Sequence, residues 1–330
     1  DLMVLPEYCN HPPLWRDAAH CYAVAQELDG SFLATIAAKA KELACMIQVN
    51  VTVRHGANAV RNSNAMFGPD GTMLGGSSKS FLISGENFFL EKPDAPSDVM
   101  ETPFGKIGMY SCMDGVSMEV TRALSLRGAQ LLSNSLCSFA PDEDWLHLPV
   151  RAAENKVFVA AANKVGRLVP EGLVSVLAGN RDPSDARQMM GGGASQIVAP
   201  DGTVLVRAPV DIEAVVWADI DLGDASIKVR PDGSDIFADR RPELYGAIVA
   251  KPNPHDAVPS VERLLAAVAP GADQDAPAAP ASAVRDALAR GVDFLVLPEL
   301  AFLPGGTVAD IGDAVAAGGQ GIAQVQKMLA

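Results

Sequence analysis

The chain has 330 residues, 48% hydrophobic and 20% charged, which is the composition of a globular protein with room for one large domain and part of a second. A formal net charge of −14 without a basic run argues against a nucleic-acid-binding surface. No apolar run is long enough for a membrane span, the first residues lack the features of a signal peptide, and the five widely spaced cysteines include no CxxC pair, so we expect reduced thiols in a cytoplasm-like compartment.

Strands and helices alternate along the first 246 residues. In chain order we predict a strand over 2–6, a helix over 32–46 that Ser31 could cap, a strand over 47–53, a hairpin over 65–74, a strand over 106–112, a helix over 118–126, a strand over 129–135, a helix over 144–155, a strand over 157–163, a hairpin over 195–209 and a strand over 213–221. The turns of the hairpins are Pro69-Asp70-Gly71 and Pro200-Asp201-Gly202. This mixture predicts α/β layers and not a purely parallel sheet.

The composition of the sequence changes after residue 246. Residues 251–280 are rich in Pro, Ala and Asp and are predicted to be a linker. Residues 281–302 read as an amphipathic helix, a Gly turn and a strand ending at Pro298-Glu299. That strand, DFLVLPE, repeats the DLMVLPE at the start of the chain. We therefore predict one domain over 1–250, a linker over 251–280 and a partial second copy over 281–330.

Cys112 lies where a predicted strand turns directly into a helix. The N–H groups at a helix start are electropositive, so they favour a thiolate and can hold an oxyanion. The alternative is a packed core cysteine, which is the commonest fate of a free cysteine. The remaining cysteines fit that alternative better, although Cys137, near a strand end, is the best rival. None of the five histidines has a context that suggests a Cys–His pair: His11, His20, His55, His147 and His255.

Two carboxyls and one amine are candidates for charged groups drawn into the interior. Glu7 closes a buried strand, where desolvation would raise its pKa and make it a usable base, although a surface position is an equally good interpretation. Lys79 and Glu86 lie among apolar residues in GGSSKSFLISGENFF, so a pair that is usually solvated could here be buried. A buried lysine near a thiol could stabilise an oxyanion.

Six segments, in order over residues 1–246, resemble the nitrilase superfamily of carbon–nitrogen hydrolases. They are LMVLPE, GGSSKSFL, GKIGMYSCMDGVSMEVTRALSLRGAQLL, RAAENKVFVAAANKVG, GGGASQIVAPDGTVL and RRPELYG. The resemblance implies a four-layer αββα sandwich and a homo-oligomer. It also implies Glu7 as general base, Lys79 as oxyanion stabiliser, Cys112 as nucleophile, Glu86 as an additional active-site glutamate and the Met113 N–H as a second oxyanion donor. No metal and no organic cofactor is required.

The sequence departs from the family pattern at three places. The pattern has an opening strand and helix before the first Glu motif, and we hypothesise that the C-terminal copy donates such an element, since residues 281–290 resemble that helix. Met118-Glu119 stands where the family usually has Pro-Glu, and the spacing from Lys79 to Glu86 is one residue short.

The resemblance implies a hydrolase that cleaves an amide, carbamoyl or nitrile carbon–nitrogen bond through a cysteine thioester. The substrate is a small molecule, amides being favoured over nitriles, and its choice is assigned to the loops at 8–30, 137–150 and 167–192. Two alternatives stay open: an acyltransferase of the same family, in which an amine replaces water, and a catalytically silent binding or assembly module. A membrane role is not expected.

Overall fold

The computed structural model describes residues 1–170, 190–250, 265–268 and 278–297, together with positions 319, 320, 322, 323, 326 and 327. The chain divides into two units, Asp1–Leu244 and Tyr245–Ala330. None of the helices in the described ranges has the length and apolar character needed to cross a bilayer.

Two sheets form the centre of the first unit. The four-stranded sheet has the order β1-β2-β3-β4, with β1 parallel to β2 and the other pairs antiparallel: β1 Leu2–Val4, β2 Met46–His55, β3 Ala59–Phe67 and β4 Met73–Ser78. The six-stranded sheet has the order β10-β9-β8-β7-β6-β5, with β6, β7 and β8 parallel: β5 Val99–Thr102, β6 Gly105–Ser111, β7 Leu131–Leu136, β8 Phe158–Asn163, β9 Gln196–Val198 and β10 Val204–Arg207.

Helices lie outside the sheets or in the loops between strands. The α-helices of the first unit are α1 Ala18–Val24, α2 Ser31–Leu43, α3 Glu86–Phe89, α4 Met118–Leu126 and α5 Leu148–Asn155, and α6 Gly246–Val249 belongs to the second unit. Short 3₁₀ turns cover Cys112–Gly115, Leu222–Ser226 and Pro242–Leu244, and a wider helical turn covers Glu143–His147.

Alternation along β2 explains why two layers pack on the small sheet. Ile47 and Val49 pack with Leu33 and Ala40 of α2, whereas Gln48, which lies between them, faces the other way. The first eight residues of β2 are buried, so both of its faces are covered.

The large sheet is covered in the same way. Ile107 and Met109 pack with Met46 and Met66 of the small sheet, which forms the layer between the sheets. On the other face, residues of β6–β9 pack against α4 and α5 in one cluster: Tyr110, Cys112, Leu124, Leu132, Leu136, Leu148, Ala152, Val159, Ala161 and Val198. The predicted four-layer αββα sandwich is confirmed.

The layer between the sheets contains a polar stretch as well as an apolar one. Gln48 Nε2 donates to Ser135 Oγ at 3.1 Å, and Asn50 Nδ2 and Asn64 Nδ2 donate to Ser111 Oγ at 3.1 and 2.9 Å. Because buried amides are costly without partners, these bonds fix the register of one sheet on the other.

Several predicted boundaries differ from the structure. The helix predicted over 32–46 spans Ser31–Leu43, and Gly30 holds the cap position that was assigned to Ser31. The helix predicted from 144 becomes regular only at Leu148, after the wider turn. The helix over 118–126 and both hairpins are confirmed. The sequence did not indicate β5 or α1.

The strand predicted over 213–221 is wrong. Among the described residues no strand pairs with this segment, and Val215 and Trp217 are 83% and 78% exposed. The β-branched residues and the alternation that favour a strand are present, but a strand also needs a neighbour for its backbone N–H and C=O groups.

The second unit contains a small parallel arrangement. The strand β11 Ala266–Val268 pairs with β12 Phe294–Val296, and the helix Ala278–Ala289 joins them, with Val284 and Ala287 buried. The range predicted as a linker therefore includes regular structure at 266–268 and from 278. Pro298-Glu299 lies outside the described residues.

Leu132→Ala is expected to destabilise the fold by about 2–5 kcal/mol, because Leu132 is fully buried between β7 and the helices and the change leaves a cavity. Urea unfolding followed by circular dichroism measures the loss. The matched control is Leu126→Ala on α4, where the side chain is 42% exposed and the cost should stay below about 1 kcal/mol. Equal costs for the two variants would contradict this packing.

Candidate active site

Three loops bring the predicted side chains together. Glu7 follows β1, Lys79 follows β4 directly, and Cys112 follows β6 directly, while Glu86 opens α3. All four side chains are buried, with exposures of 1%, 1%, 7% and 5% in that order. The structure therefore gathers residues that are far apart in the sequence.

The Glu7 carboxylate has a partner on each oxygen. Its Oε1 accepts from Lys79 Nζ at 2.9 Å and from Asn62 Nδ2 at 2.8 Å. Its Oε2 accepts from the N–H of Cys137 at 3.0 Å. These contacts hold the carboxylate in one orientation.

Lys79 joins Glu7 to the second carboxylate. Its Nζ donates to Glu86 Oε1 at 2.8 Å, and the same oxygen accepts from Tyr8 Oη at 2.6 Å. Glu86 Oε2 accepts from the N–H of Ile83 at 2.9 Å. One buried ammonium thus lies between two buried carboxylates.

Burial and charge compete in setting the protonation of these groups. Desolvation raises the pKa of Glu7, although the Lys79 charge opposes the rise. Desolvation alone would lower the pKa of Lys79, but Glu7, Cys112 and Glu86 together raise it well above its usual value. The ammonium therefore stays charged, and Glu7 is a stronger base than an exposed glutamate.

Cys112 is held in a strained backbone conformation. Its φ of +46° lies in the left-handed region, which costs of order 1–3 kcal/mol for a residue other than glycine. Its N–H donates to Asn134 Oδ1 at 2.9 Å. Asp114 Oδ1 accepts from the N–H groups of Ser80 and Phe81 at 3.0 and 2.8 Å, so the loop after Lys79 is tied to the Cys112 turn.

Cys112 rests as a neutral thiol and not as the thiolate expected from a helix start. Desolvation is the largest influence, and with the Glu7 charge it raises the pKa of Cys112 well above the usual value, while Lys79 lowers it. A short 3₁₀ turn, Cys112–Gly115, begins at this residue, and the thiol is buried. The Met113 N–H, predicted to hold an oxyanion, lies in that turn.

Several residues that contact the site were not predicted from the sequence. Asn62, Tyr8, Asn134 and the N–H of Cys137 all contact it, and the predicted rival Cys137 contributes its backbone. One signal was available: β3 carries Asn62 and Asn64 at alternate positions among buried residues, which marks a polar face turned inward. Of the loops assigned to substrate choice, residues 171–189 lie outside the described residues.

In the ranges that the structure describes, no three His, Cys, Asp or Glu side chains converge to hold a metal ion. The site is instead an acid, an amine and a thiol in one buried space. That set can transfer protons, stabilise an oxyanion and form a covalent thioester.

The model of the carbon–nitrogen hydrolase family matches residues 1–226. The chain belongs to this family. The members of this family are enzymes, and the relatives of this chain include nitrilases and amidases. This agrees with the resemblance to the nitrilase superfamily.

Curated relatives carry different names within this family. A nitrilase of Pyrococcus abyssi is 30% identical over 74% of this chain and 86% of its own. An N-carbamoylputrescine amidase of Arabidopsis thaliana is 30% identical over 64% of this chain and 70% of its own. The human omega-amidase is 28% identical over 76% of this chain and 87% of its own.

Solved structures share the fold. The carbon–nitrogen hydrolase of Helicobacter pylori superposes with a TM-score of 0.62 at 21% identity, covering 76% of this chain and 87% of its own. An amidase mutant of Nesterenkonia sp. AN1 in complex with butyramide gives a TM-score of 0.57 at 20% identity, covering 74% of this chain and 83% of its own.

Lys79→Met is expected to destabilise the fold by about 3–5 kcal/mol, because it leaves buried carboxylates without their cation. The loss should be larger at pH 8 than at pH 5. A carboxyl whose pKa is raised in the folded state binds a proton at low pH, and its contribution to stability falls as the pH rises through that pKa. Urea unfolding at the two pH values measures both effects.

The control for this substitution is Lys106→Met. Lys106 pairs with Glu101 at 3.2 Å, and its side chain is 47% exposed, so the change should cost less than about 1 kcal/mol at either pH. If Lys79→Met lowered the free energy of unfolding by a similarly small amount, the ion pairs of Lys79 would not be buried in solution.

Proposed function

We propose that the chain hydrolyses the carbon–nitrogen bond of a small amide through a thioester on Cys112. The observation that supports it most directly is the buried Glu7–Lys79–Glu86 charge cluster, because the charges of Glu7 and Lys79 act on the Cys112 thiol. Such a cluster costs free energy to bury, which favours a catalytic role over a purely structural one.

In the first half-reaction Glu7 takes the proton of the Cys112 thiol as Sγ attacks the carbonyl carbon. The carbonyl π electrons move to oxygen, and the oxyanion is stabilised by Lys79 and by the N–H of Met113. The carbon–nitrogen bond then breaks, and the leaving nitrogen receives its proton from Glu7, so that ammonia or an amine departs and the thioester remains.

In the second half-reaction Glu7 takes a proton from water as the water oxygen attacks the thioester carbon. The same oxyanion donors act again, the carbon–sulfur bond breaks, and the thiolate of Cys112 recovers the proton from Glu7. The raised pKa of Glu7 supports its use first as a base and then as an acid, since the group that takes a proton must also give it back. Glu86 holds Lys79 from its other side.

For the substrate we propose a small amide or carbamoyl compound before a nitrile. The relatives named as amidases and the amidase structure with butyramide support that order. The decisive experiment is ammonia release from a panel of short aliphatic amides, ω-amides, carbamoyl amines and matching nitriles. Adding hydroxylamine as acceptor separates hydrolysis from acyl transfer, and no turnover of any substrate together with an inert thiol would favour a silent module.

We propose that residues 281–330 are a partial second copy; the repeated DFLVLPE segment and the parallel pairing of β12 support it. We also propose a homo-oligomer, which the family resemblance implies, and a cytoplasm-like compartment, which the five free cysteines support.

Cys112→Ala and Cys112→Ser are expected to abolish turnover with little change in stability, because each removes the nucleophile and leaves the turn in place. Ammonia release and thermal unfolding measure the two properties. Cys45→Ala, at a half-buried cysteine next to β2, is the control and should keep wild-type turnover. Hydrolysis by either Cys112 variant would reject the mechanism.

Lys79→Ala is expected to lower kcat by roughly 10²–10³-fold, as the loss of an oxyanion donor does elsewhere. Since the change also removes a buried cation, kcat is compared on protein shown to be folded by circular dichroism. A loss smaller than about tenfold would remove Lys79 from the oxyanion role.

A further inference from the structure

A buried aspartate, Asp114, joins the segment that carries Lys79 to the turn that carries Cys112, and it has no part in the reaction proposed above. Its side chain is 1% exposed. It lies two residues after Cys112, within the 3₁₀ turn Cys112–Gly115. A carboxylate at that depth is costly unless hydrogen-bond donors surround it, so the groups that it binds indicate what it holds together.

The Asp114 carboxylate binds N–H groups of two different segments. Its Oδ1 accepts from the N–H of Ser80 at 3.0 Å and from the N–H of Phe81 at 2.8 Å. Its Oδ2 accepts from the N–H of Ser111 at 3.4 Å, which closes the turn on itself. Because a hydrogen bond to a carboxylate is roughly twice as strong as one between neutral groups, these three bonds tie the two segments together. We call this set of bonds the Asp114 clamp.

The backbone of Lys79 lies where the chain leaves the small sheet. The strand β4 ends at Ser78, and the N–H of Lys79 still donates to the carbonyl oxygen of Asn62 at 2.9 Å. The next two N–H groups along the chain are the ones that Asp114 binds. The Lys79 backbone is thus held by the small sheet on one side and by the Cys112 turn on the other. The Asp114 clamp therefore sets where Lys79 lies relative to that turn.

The position of the Lys79 ammonium matters because the proposed reaction uses it as a hydrogen-bond donor. Nζ has three N–H donors, and two of them are directed at Glu7 Oε1 and Glu86 Oε1, at 2.9 and 2.8 Å. The mechanism proposed above assigns the third donor to the oxyanion, together with the N–H of Met113, the residue before Asp114. An oxyanion gains from both donors when each lies about 2.7–3.1 Å from the same oxygen atom.

We propose that Asp114 is a positioning residue that holds the lysine segment on the nucleophile turn, so that Lys79 and the Met113 N–H meet the same oxyanion. The proposal rests on the proposed function, because it takes Lys79 and Met113 as the oxyanion donors. Asp114 acts through the backbone that it binds. Burial raises the pKa of Asp114 to about 6, while the bound N–H groups and the Lys79 charge lower it, so at neutral pH it is mainly a carboxylate and accepts all three bonds.

The test compares steady-state ammonia release by Asp114→Ala, Asp114→Asn and the wild type, on protein shown to be folded by circular dichroism. Asp114→Ala removes the whole clamp and should lower kcat by roughly 10²-fold, as a misplacement of about 1 Å does. KM should change by less than about threefold, because the oxyanion forms only in the transition state. Asp114→Asn keeps an amide oxygen for the N–H groups of Ser80 and Phe81, but a neutral acceptor is weaker, so kcat should fall by only about two- to tenfold.

Two further measurements separate positioning from a general loss of order. If Asp114 acts through Lys79, adding Asp114→Ala to the Lys79→Ala variant should lower kcat by less than about tenfold, because the donor that the clamp positions is already gone. Hydrogen exchange of the Ser80 and Phe81 amides should also be about tenfold faster in Asp114→Ala than in the wild type, since both N–H groups lose their acceptor.

The matched control is Asp201→Ala. Asp201 Oδ1 accepts from the N–H of Thr203 at 2.8 Å, so this change removes a hydrogen bond of the same kind from the exposed turn between β9 and β10. Both kcat and KM should stay at their wild-type values, because this turn carries none of the proposed oxyanion donors.

Three results would overturn the inference: a loss of kcat below about tenfold in Asp114→Ala, a loss in the Lys79→Ala background as large as in the wild type, or unchanged exchange of the Ser80 and Phe81 amides. If Asp114→Ala does not fold, Asp114→Asn decides, and wild-type kcat in that variant would reject the clamp. A wild type that turns over no substrate would overturn the proposed function together with this inference. A wild type that turns over its substrate and an Asp114→Ala variant with the same kcat would overturn this inference alone.

Discussion

One buried ammonium determines the electrostatics of the whole site. Lys79 Nζ lies between the carboxylates of Glu7 and Glu86 at 2.9 and 2.8 Å, and all three side chains are buried. A single positive charge cannot balance two carboxylates and a thiolate in a medium that solvates none of them. Burial and the neighbouring charge of Glu7 therefore favour the protonated thiol of Cys112, and the mechanism that we propose needs Glu7 as the base that removes this proton.

The polar layer between the sheets is what holds this cluster in place. Asn50 Nδ2 donates to Asn62 Oδ1 at 2.6 Å, and Asn62 in turn donates to Glu7, so the orientation of the base depends on the register of β2 and β3. Asn50 Oδ1 also accepts from the N–H of Tyr8, whose φ of +58° would otherwise be unfavourable. Structural hydrogen bonds and the site are thus parts of one network.

Sequence patterns predicted the chemistry of the site better than its surroundings. Glu7, Lys79 and Cys112 could be singled out because each follows a predicted strand or hairpin, whereas their joint role and the order of the four layers were implied by the family resemblance. Asn62 and Asn134 could not be assigned, because their roles depend on which strand lies opposite. The segment 213–221 failed for the same reason: its residues favour a strand, but pairing is a property of the neighbour and not of the segment.

The choice between two nearby thiols shows why backbone geometry decides the nucleophile. Burial raises the pKa of both Cys112 and Cys137, the latter to about 12, so thiol acidity does not mark either as the reacting group. The N–H of Cys137, however, is already bound to Glu7, whereas Cys112 begins a helical turn whose N–H groups point toward its own start. An oxyanion needs such donors at the carbon under attack. Of the two thiols, Cys112 is the one that begins a helical turn, and we therefore propose that the cost of its left-handed conformation is retained because the turn presents this thiol and its backbone donors together.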